Sequence, residues 1–511
     1  MAEQVAADRA LVQVSNPLLV MISVITMGLC VYLDQTIANV ALPHMRASLG
    51  ASPETISWVL TSFIIATAIT APITGWMVDK LGSRMVYLGA SALFLASSAA
   101  CGAASSLSAL VLFRMLQGVA TGFIAPMTQM ILFDISKPSE QAFMTSTYSA
   151  VAMVVPVSGP FVGAFLTDYL SWRWCFFINL VVGLPALVAL AARLPTRPRQ
   201  HRPLDVTGYA SLAIAVGAFQ MMLDRGQGNG WFDSTETIVE AVLAGGALWV
   251  FVVHSFFAER PLFPRALMRD SNFVAGCLQM MAIGMTVTTV AAILPTMLQT
   301  VMGWPVVFTG EAVAPRGFGT LVSTVLNGWL MRKIELRVLI AVGFAISAAS
   351  TATMTSWSLQ LHSNIMFWAL LVQGIGMGLV FAPLNLIAFG GLETKYRPDG
   401  ASLLNLCRNI GASAGISACV ALIARTQQIS HAELATHVTA MTDLGRYAEL
   451  TQGAEPALRM IDGEINRQAM MIGYLDCFKA VGIVMLAMVP VPFFLKRPKR
   501  RVAEVVHLAP E

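Results

Sequence analysis

The sequence predicts an all-α polytopic membrane protein of fourteen transmembrane helices, two six-helix bundles with two further helices inserted between them. Three observations predict it. Only 12% of the 511 residues are charged and 56% are hydrophobic; a water-soluble domain carries about 25% charged residues, so this chain has too little polar surface to face water. Apolar runs such as 17–41, 85–104 and 338–356 reach the roughly 20 residues that cross hydrocarbon as a helix. A charged turn also occurs twice, as "GWMVDKLGSR" (75–84) and "GWLMRKIELR" (328–337). Gly75, Trp76, Lys80 and Arg84 are matched by Gly328, Trp329, Lys333 and Arg337, each 253 residues on.

Taken in order, the apolar runs centre near residues 30, 65, 95, 120, 155 and 184, then 215 and 247, then 286, 319, 346, 376, 412 and 483. The first run follows a 14-residue polar start whose one basic residue is Arg9. Its length, its internal Asp34 and the many spans after it read as a retained helix and not a cleaved signal. An even count puts both termini on one side. With the N-terminus inside, inner segments hold roughly 21 of the 32 Lys and Arg and outer segments about seven, so the positive-inside rule places both termini and both charged turns in the cytoplasm. The expected organisation is a cytoplasmic tail (1–14), a first bundle (15–200), the inserted helices with their loops (201–270), a second bundle (271–496) and a second cytoplasmic tail (497–511). Within the second bundle, about 426–468 is polar and amphipathic, an outer loop in which helical segments beyond the bilayer are expected. A loop of that size serves a partner or nothing identifiable.

The repeat extends past the turn. Gln117, Gly118 and Gly122 recur as Gln373, Gly374 and Gly378, 256 residues on, and Ala125-Pro126 recurs as Ala382-Pro383. Two motifs at nearly one offset mark a chain built from parallel structural repeats. Six helices with short loops need about 200 residues, so an offset near 254 leaves room for two extra spans, and residues 206–257 supply them.

A turn of the form G-x-x-x-D-[KR]-x-G-x-[KR] between the second and third helices of a doubled six-helix chain resembles the major facilitator superfamily, and fourteen helices resemble its drug:proton antiporter branch. "LDQTIANVALP" (33–43), "WRWCFFIN" (172–179), "LDRGQGNGWFDS" (223–234) and "APRGFGT" (314–320) are similar to the EmrB-type multidrug exporters. The likeness runs from about residue 17 to 495 and is specific for the family, not for the substrate. It implies the major facilitator fold and proton-coupled antiport of hydrophobic or amphipathic compounds by alternating access. The setting would be a bacterial inner membrane, with a periplasmic membrane-fusion adaptor and an outer-membrane channel as partners. A fatty-acid or single-metabolite exporter, or a proton-coupled importer, is the alternative within the fold. A non-transporting sensor is the alternative outside it.

Individual residues sharpen these expectations. Asp34 lies inside the first span, where an ionised carboxylate is costly and must face a cavity or a partner; it is the candidate proton carrier, against a plain helix-packing hydrogen bond. Arg114, Gln117, Gly118, Thr121, Gly122 and Ala125 follow helical spacing and form one polar, small face of the fourth helix. Leu370 stands at the position of Arg114 in the second half, so the arginine is not repeated scaffold; the resemblance implicates it in coupling proton to substrate, against a structural pair. Asp79, Lys80 and Arg84, with Gly75 and Gly82 permitting close approach and a sharp turn, are candidate gate residues, against a solvated turn that only sets topology. The second copy keeps Lys333 and Arg337 but puts Arg332 where Asp79 stands, so a weaker or different latch is expected there. Gly159, Pro160 and Gly163 allow close helix approach and a bend and match the antiporter motif, with Val155 and Ala164 in place of glycines.

The candidate substrate path is Gln35, Asn39, Trp58, Phe63, Gln117, Thr121 and Phe123 in the first half and Gln299, Arg316, Phe381, Asn385, Asn405 and Arg408 in the second, with Glu311 a candidate second proton site. The 29 methionines and these aromatics suit an adaptable apolar cavity, although packing or lipid-facing roles fit each residue as well. The seven cysteines lack metal spacing and read as core fillers, and His254 reads as a packed histidine. No Walker motif or nucleophile constellation appears. The expected energy source is an ion gradient, without cofactor or metal.

Overall fold

The computed structural model describes residues 16–137, 140–196, 203–436 and 454–494; both expected tails lie outside them. Among the described residues, fourteen long helices run α1 Pro17–Leu49, α2 Trp58–Leu81, α3 Ser83–Ala103, α4 Leu107–Ile135, α5 Gln141–Tyr169, α6 Trp174–Arg193, α7 Val206–Arg225 and α8 Thr235–Phe257. They continue with α9 Ser271–Thr300, α10 Val306–Lys333, α11 Leu336–Met354, α12 Ser363–Gly390, α13 Arg397–Ala435 and α14 Ala454–Met488. Among the described residues, twelve of them, all but α5 and α10, contain a stretch long and apolar enough to cross a membrane.

Local chemistry sets their ends and breaks. The Asn16 side chain accepts from the Leu19 amide ahead of Pro17, and Gly50 closes α1 at φ 61°; this is the capped N-terminus and left-handed C-cap a helix prefers. Pro72 sits in a 3-10 turn (Ala71–Ile73) that interrupts α2, as expected where proline removes a backbone donor. Gly82 adopts φ 88° between α2 and α3, a conformation open to glycine and strained for other residues. In α9, residues Gly284–Thr288 form a π segment that the apolar run gives no hint of.

The internal repeat is a repeat of contacts. Thr67 Oγ1 donates to the Gly118 carbonyl at 3.1 Å, and Thr320 Oγ1 donates to the Gly374 carbonyl at 3.2 Å. Thr74 Oγ1 donates to Gly122 and Asn327 Nδ2 to Gly378. A Cβ on Gly118 would lie 2.4 Å from the Phe63 carbonyl oxygen, and one on Gly374 would lie 2.0 Å from that of Arg316. The same small residues thus seat α4 on α2 and α12 on α10. Where the halves meet, repeat-related residues face each other. Gln129 Nε2 donates to Asn385 Oδ1, and the Phe133 and Phe389 rings meet at 5.1 Å, tilted by 45°; both pairs are 256 residues apart, the offset of the repeat itself. Side chains matched to their own repeat partners mark a pseudo-twofold axis between α4 and α12.

The inserted α7 and α8 pack on each other, and α7 also lies against α2 and α13. Ser417 Oγ donates to the Leu223 carbonyl at 2.7 Å, and Thr61 Oγ1 to Asp224. His254 joins the end of α8 to the start of α7 through Asp205 at 2.7 Å.

The helical segments expected within the outer loop, about 426–468, are present at both of its described ends. α13 continues to Ala435 and α14 begins at Ala454, with 437–453 outside the described residues. Gln427 Nε2 donates to Asn466 Oδ1 at 2.7 Å, and His431 meets Asp462 at 2.9 Å. At 1.5 Å per residue the 39 residues of α13 span about 58 Å against about 30 Å of hydrocarbon, so the pair projects as a polar hairpin.

Candidate functional site

An ionised group inside an apolar bundle must be paired or neutralised, and Asp34 is paired. Asp34 is 1% exposed and Arg114 fully buried, and Arg114 Nη1 meets Asp34 Oδ2 at 2.6 Å. The other carboxylate oxygen accepts from Gln117 Nε2 at 2.9 Å and from Asn179 Nδ2 at 2.8 Å. Arg114 Nη1 also donates to Gln117 Oε1 and Nε to the Val59 carbonyl, while its guanidinium lies over the Phe63 ring, 4.1 Å from the centroid. Asn179 is itself held at 3.1 Å by Ser98. Five helices, α1, α2, α3, α4 and α6, converge on one carboxylate. Arg114 Nη2 has no hydrogen-bond partner among the described residues. A buried pair of this kind is a poor source of stability, because the loss of hydration offsets the attraction.

The site is wired to the rest of the molecule through α1 and α5. Just past Asp34, a Cβ on Gly159 would lie 1.9 Å from Thr36 Oγ1, and one on Gly163 3.2 Å from the Ile37 carbonyl oxygen. α5 therefore lies directly on α1 there, and α5 in turn lies along α10 of the second half. On the other side, Tyr32 hydrogen-bonds Tyr148 at 3.0 Å. The Arg408 guanidinium of α13 lies 5.4 Å from the Tyr32 ring centroid.

The first charged turn touches the opposite half. A Cβ on Gly75 would fall 1.8 Å from Asp399 Oδ1 at the start of α13, and Ser402 of α13 donates to the Ala71 carbonyl. Asp79 is buried, Lys80 lies over Trp76 at 4.6 Å, and Arg84 donates to the Ala191 carbonyl at 2.7 Å. The second turn repeats the cation–ring contact, Lys333 over Trp329 at 4.0 Å, and pairs Arg337 with Glu335 at 3.9 Å, yet a Cβ on Gly328 would meet open space.

The candidate path residues separate. Phe381, Asn405 and Arg408 pack around a crevice between the halves too narrow to admit a water molecule, joined by Gln129 and Tyr148. Asn385 sits beside it through Gln129. Phe63 and Gln117 belong to the Asp34 cluster, and Thr121 is buried one turn along α4. Trp58 packs under Arg225 at 5.4 Å. Gln35 and Phe123 are half-buried, and Asn39, Gln299 and Glu311 are exposed. Arg316 is 3% exposed and donates through Nη2 to the Val287 carbonyl, inside the π segment, at 2.9 Å. Of Pro160 only its place in α5 is described. Asn179 and Ser98 were not singled out by sequence reasoning, although Asn179 ends the "WRWCFFIN" stretch that carried the resemblance.

A doubled six-helix bundle with a buried carboxylate–guanidinium pair in its first half is the architecture of a polytopic membrane transporter and not of an enzyme. The family model of the Major Facilitator Superfamily matches residues 24–416, and the chain belongs to that superfamily. It is 30% identical over 475 residues to the multidrug export protein EmrB of Haemophilus influenzae, covering 91% of this chain and 93% of that one. It is also 30% identical over 489 residues to the fatty acid resistance protein FarB of Neisseria gonorrhoeae, covering 93% and 96%. The human organic anion transporter MFSD10 shares the fold at a TM-score of 0.59 and 13% identity, covering 92% of this chain and 99% of that one.

Proposed function

We propose that this protein is a proton-coupled antiporter that exports hydrophobic or amphipathic compounds by alternating access. The observation that carries the reading is the Asp34–Arg114 pair with its amide donors, a buried charge balance that one proton upsets. A proton arriving on Asp34 removes the negative charge that Arg114 faces at 2.6 Å. The guanidinium then keeps its contacts to Phe63 and the Val59 carbonyl but loses its counterion, and α1 is released from α4. Because α5 rides on α1 at Gly159 and Gly163, a shift of α1 is passed to α10 and the opposite half. Leaving of the proton restores the pair. Substrate bound between the halves on one stroke and protons carried on the other exchange across the membrane, with the gradient as the energy source and no bound cofactor.

EmrB and FarB, the relatives named above, support export and a bacterial inner-membrane setting. The rich Lys and Arg content of the segments around both charged turns and the C-terminal tail supports a cytoplasmic position for both termini. The projecting α13–α14 hairpin would then lie in the periplasm. It is the surface on which a membrane-fusion adaptor of a tripartite pump would dock. The first charged turn, pressed against α13 at Gly75, is the gate on the cytoplasmic side.

The test is proton movement in proteoliposomes holding an acid interior. Addition of lipophilic dyes, uncoupler analogues or fatty acids is expected to release protons through the wild type and not through Asp34→Asn. Equal release through the variant would remove Asp34 from the mechanism.

A further inference from the structure

We infer that Glu240, in the inserted helix α8, is a second proton-binding site, one that collects protons at the outer mouth of the transporter for Asp34. This rests on the proton-coupled reading and the membrane orientation proposed above, and it gives the inserted helices a part in that cycle.

The inference starts from what α8 buries. Large apolar side chains such as Val242, Trp249 and Phe256 face outward, and the buried positions of the helix are Thr237, Glu240 and Ala244. That spacing is one helical face, the face that packs on α7. A helix rich in apolar residues thus gives its small buried face to a hydroxyl and a carboxylate. Glu240 is 6% exposed, and neither of its side-chain oxygens nor Thr237 Oγ1 has a hydrogen-bond partner among the described residues. A buried charge must be paired or neutralised, and a buried polar group left unsatisfied needs a reason. A proton neutralises Glu240 where it stands.

The surrounding charges favour that role. From Leu223 to Glu240 the chain carries four carboxylates, Asp224, Asp233, Glu236 and Glu240, and a single cation, Arg225. Arg225 is already engaged by Glu236, which also accepts from Asn229 Nδ2 at 3.1 Å. The helices packed on this end of α7 bring Trp58 and Thr61 from α2 and Ser417 from α13, none of them titratable. A net negative end raises the local concentration of protons. In the proposed orientation the α7–α8 turn faces the periplasm, the side from which protons enter.

The geometry then leads inward. Asp224 accepts from Thr61, and Arg225 lies over the Trp58 ring, 5.4 Å from its centroid. Between those two residues of α2 is Val59, whose carbonyl accepts from Arg114 Nε at 3.1 Å. One turn of α2 therefore meets the inserted pair on one side and the partner of Asp34 on the other. Because α7 also holds Ser417 of the second half, it bridges the seam that parts on the outer side. Glu240 takes a proton from periplasmic water, forming an O–H bond. As the outer ends separate, it returns the proton to the water that then reaches Asp34.

The first test is infrared difference spectroscopy of the full-length protein in lipid nanodiscs as the pH is stepped. The wild type is expected to show the carbonyl stretch of a protonated carboxylic acid. That band should move on labelling with carbon-13 glutamate, vanish in Glu240→Gln and remain in Asp34→Asn. Absence of a glutamate-dependent band from the wild type would overturn the proposal whether or not the variant folds, as would its survival in Glu240→Gln. The second test is transport in proteoliposomes. Glu240→Gln is expected to exchange labelled for unlabelled substrate within about twofold of wild type but to slow gradient-driven transport at least about tenfold, short of the roughly hundredfold a positioned proton-transfer group contributes. Glu240→Asp should recover part of it. Equal loss of exchange and driven transport would mark a packing role and overturn the proposal. Wild-type driven transport in Glu240→Gln, with loss in Asp34→Asn, would overturn the role of Glu240 and leave that of Asp34 standing. Loss in Glu240→Gln but not in Asp34→Asn would do the reverse.

Discussion

Asp34 accepts three hydrogen bonds from three side chains at 2.6 to 2.9 Å, and removing one partner of such a pair leaves a bare charge in hydrocarbon. Arg114→Met is therefore expected to destabilise the protein by about 3–5 kcal/mol. The double change Asp34→Asn with Arg114→Met should cost less than Arg114→Met alone, since no charge is then stranded; thermal unfolding of the detergent-solubilised protein checks both. Asp34 and Arg114 were legible because each is a charge inside an apolar run. That signal has no direction, however. Glu311 and Arg316 show it equally, yet Glu311 is exposed and Arg316 buried. Membrane spans are apolar all round, so periodicity does not tell which face of α10 turns inward. Asn179 was illegible for a different reason: a neutral amide in a long apolar run has no signature until the fold brings Asp34 to it.

At the scale of elements, glycines decide how closely helices pass. Gly374→Val puts a branched side chain where even a Cβ would lie 2.0 Å from a backbone oxygen, and overpacking of this sort costs about 1–3 kcal/mol; a fall in unfolding temperature against wild type checks it. The two charged turns give a sharper contrast. Gly75→Ala is expected to impair transport, because its Cβ collides with Asp399 at the seam of the halves, whereas Gly328→Ala meets open space and should transport at the wild-type rate. Dye efflux from cells expressing each variant measures both. The order of the helices, and twelve of the fourteen by their apolar length, were readable from the sequence, since length is what a bilayer demands. The π segment in α9 was not, because it leaves no residue pattern. Helix beyond the hydrocarbon within 426–468 was readable from its polar, amphipathic character, but the pairing of α13 with α14 through Gln427 and Asn466 was not.

The whole molecule is governed by its pseudo-twofold axis. Gln129 with Asn385 and Phe133 with Phe389 close the seam between α4 and α12 at the end that carries the charged turns, where Arg397 of α13 also reaches Asp134 at 3.8 Å. Alternating access requires that seam to open. Cysteines placed at positions 133 and 389, in a background free of the seven native cysteines, and bridged by a short reducible thiol reagent, are expected to abolish transport. Reduction should restore it. Full activity while bridged would mean that this seam does not move. The repeat itself was visible in the sequence as an offset, and the offset fixes which residues meet on the axis. The sequence does not state that they touch, because two parallel repeats also pack with other faces together.

In the proposed antiport cycle the proton on Asp34 drives the exchange uphill and is not needed for exchange of substrate for substrate. Substrate counterflow and uphill transport, measured side by side in proteoliposomes of Asp34→Asn, test it most directly. The variant is expected to exchange labelled for unlabelled substrate across the membrane in the absence of a gradient, while gradient-driven accumulation is lost. Accumulation at the wild-type level in the variant would contradict it.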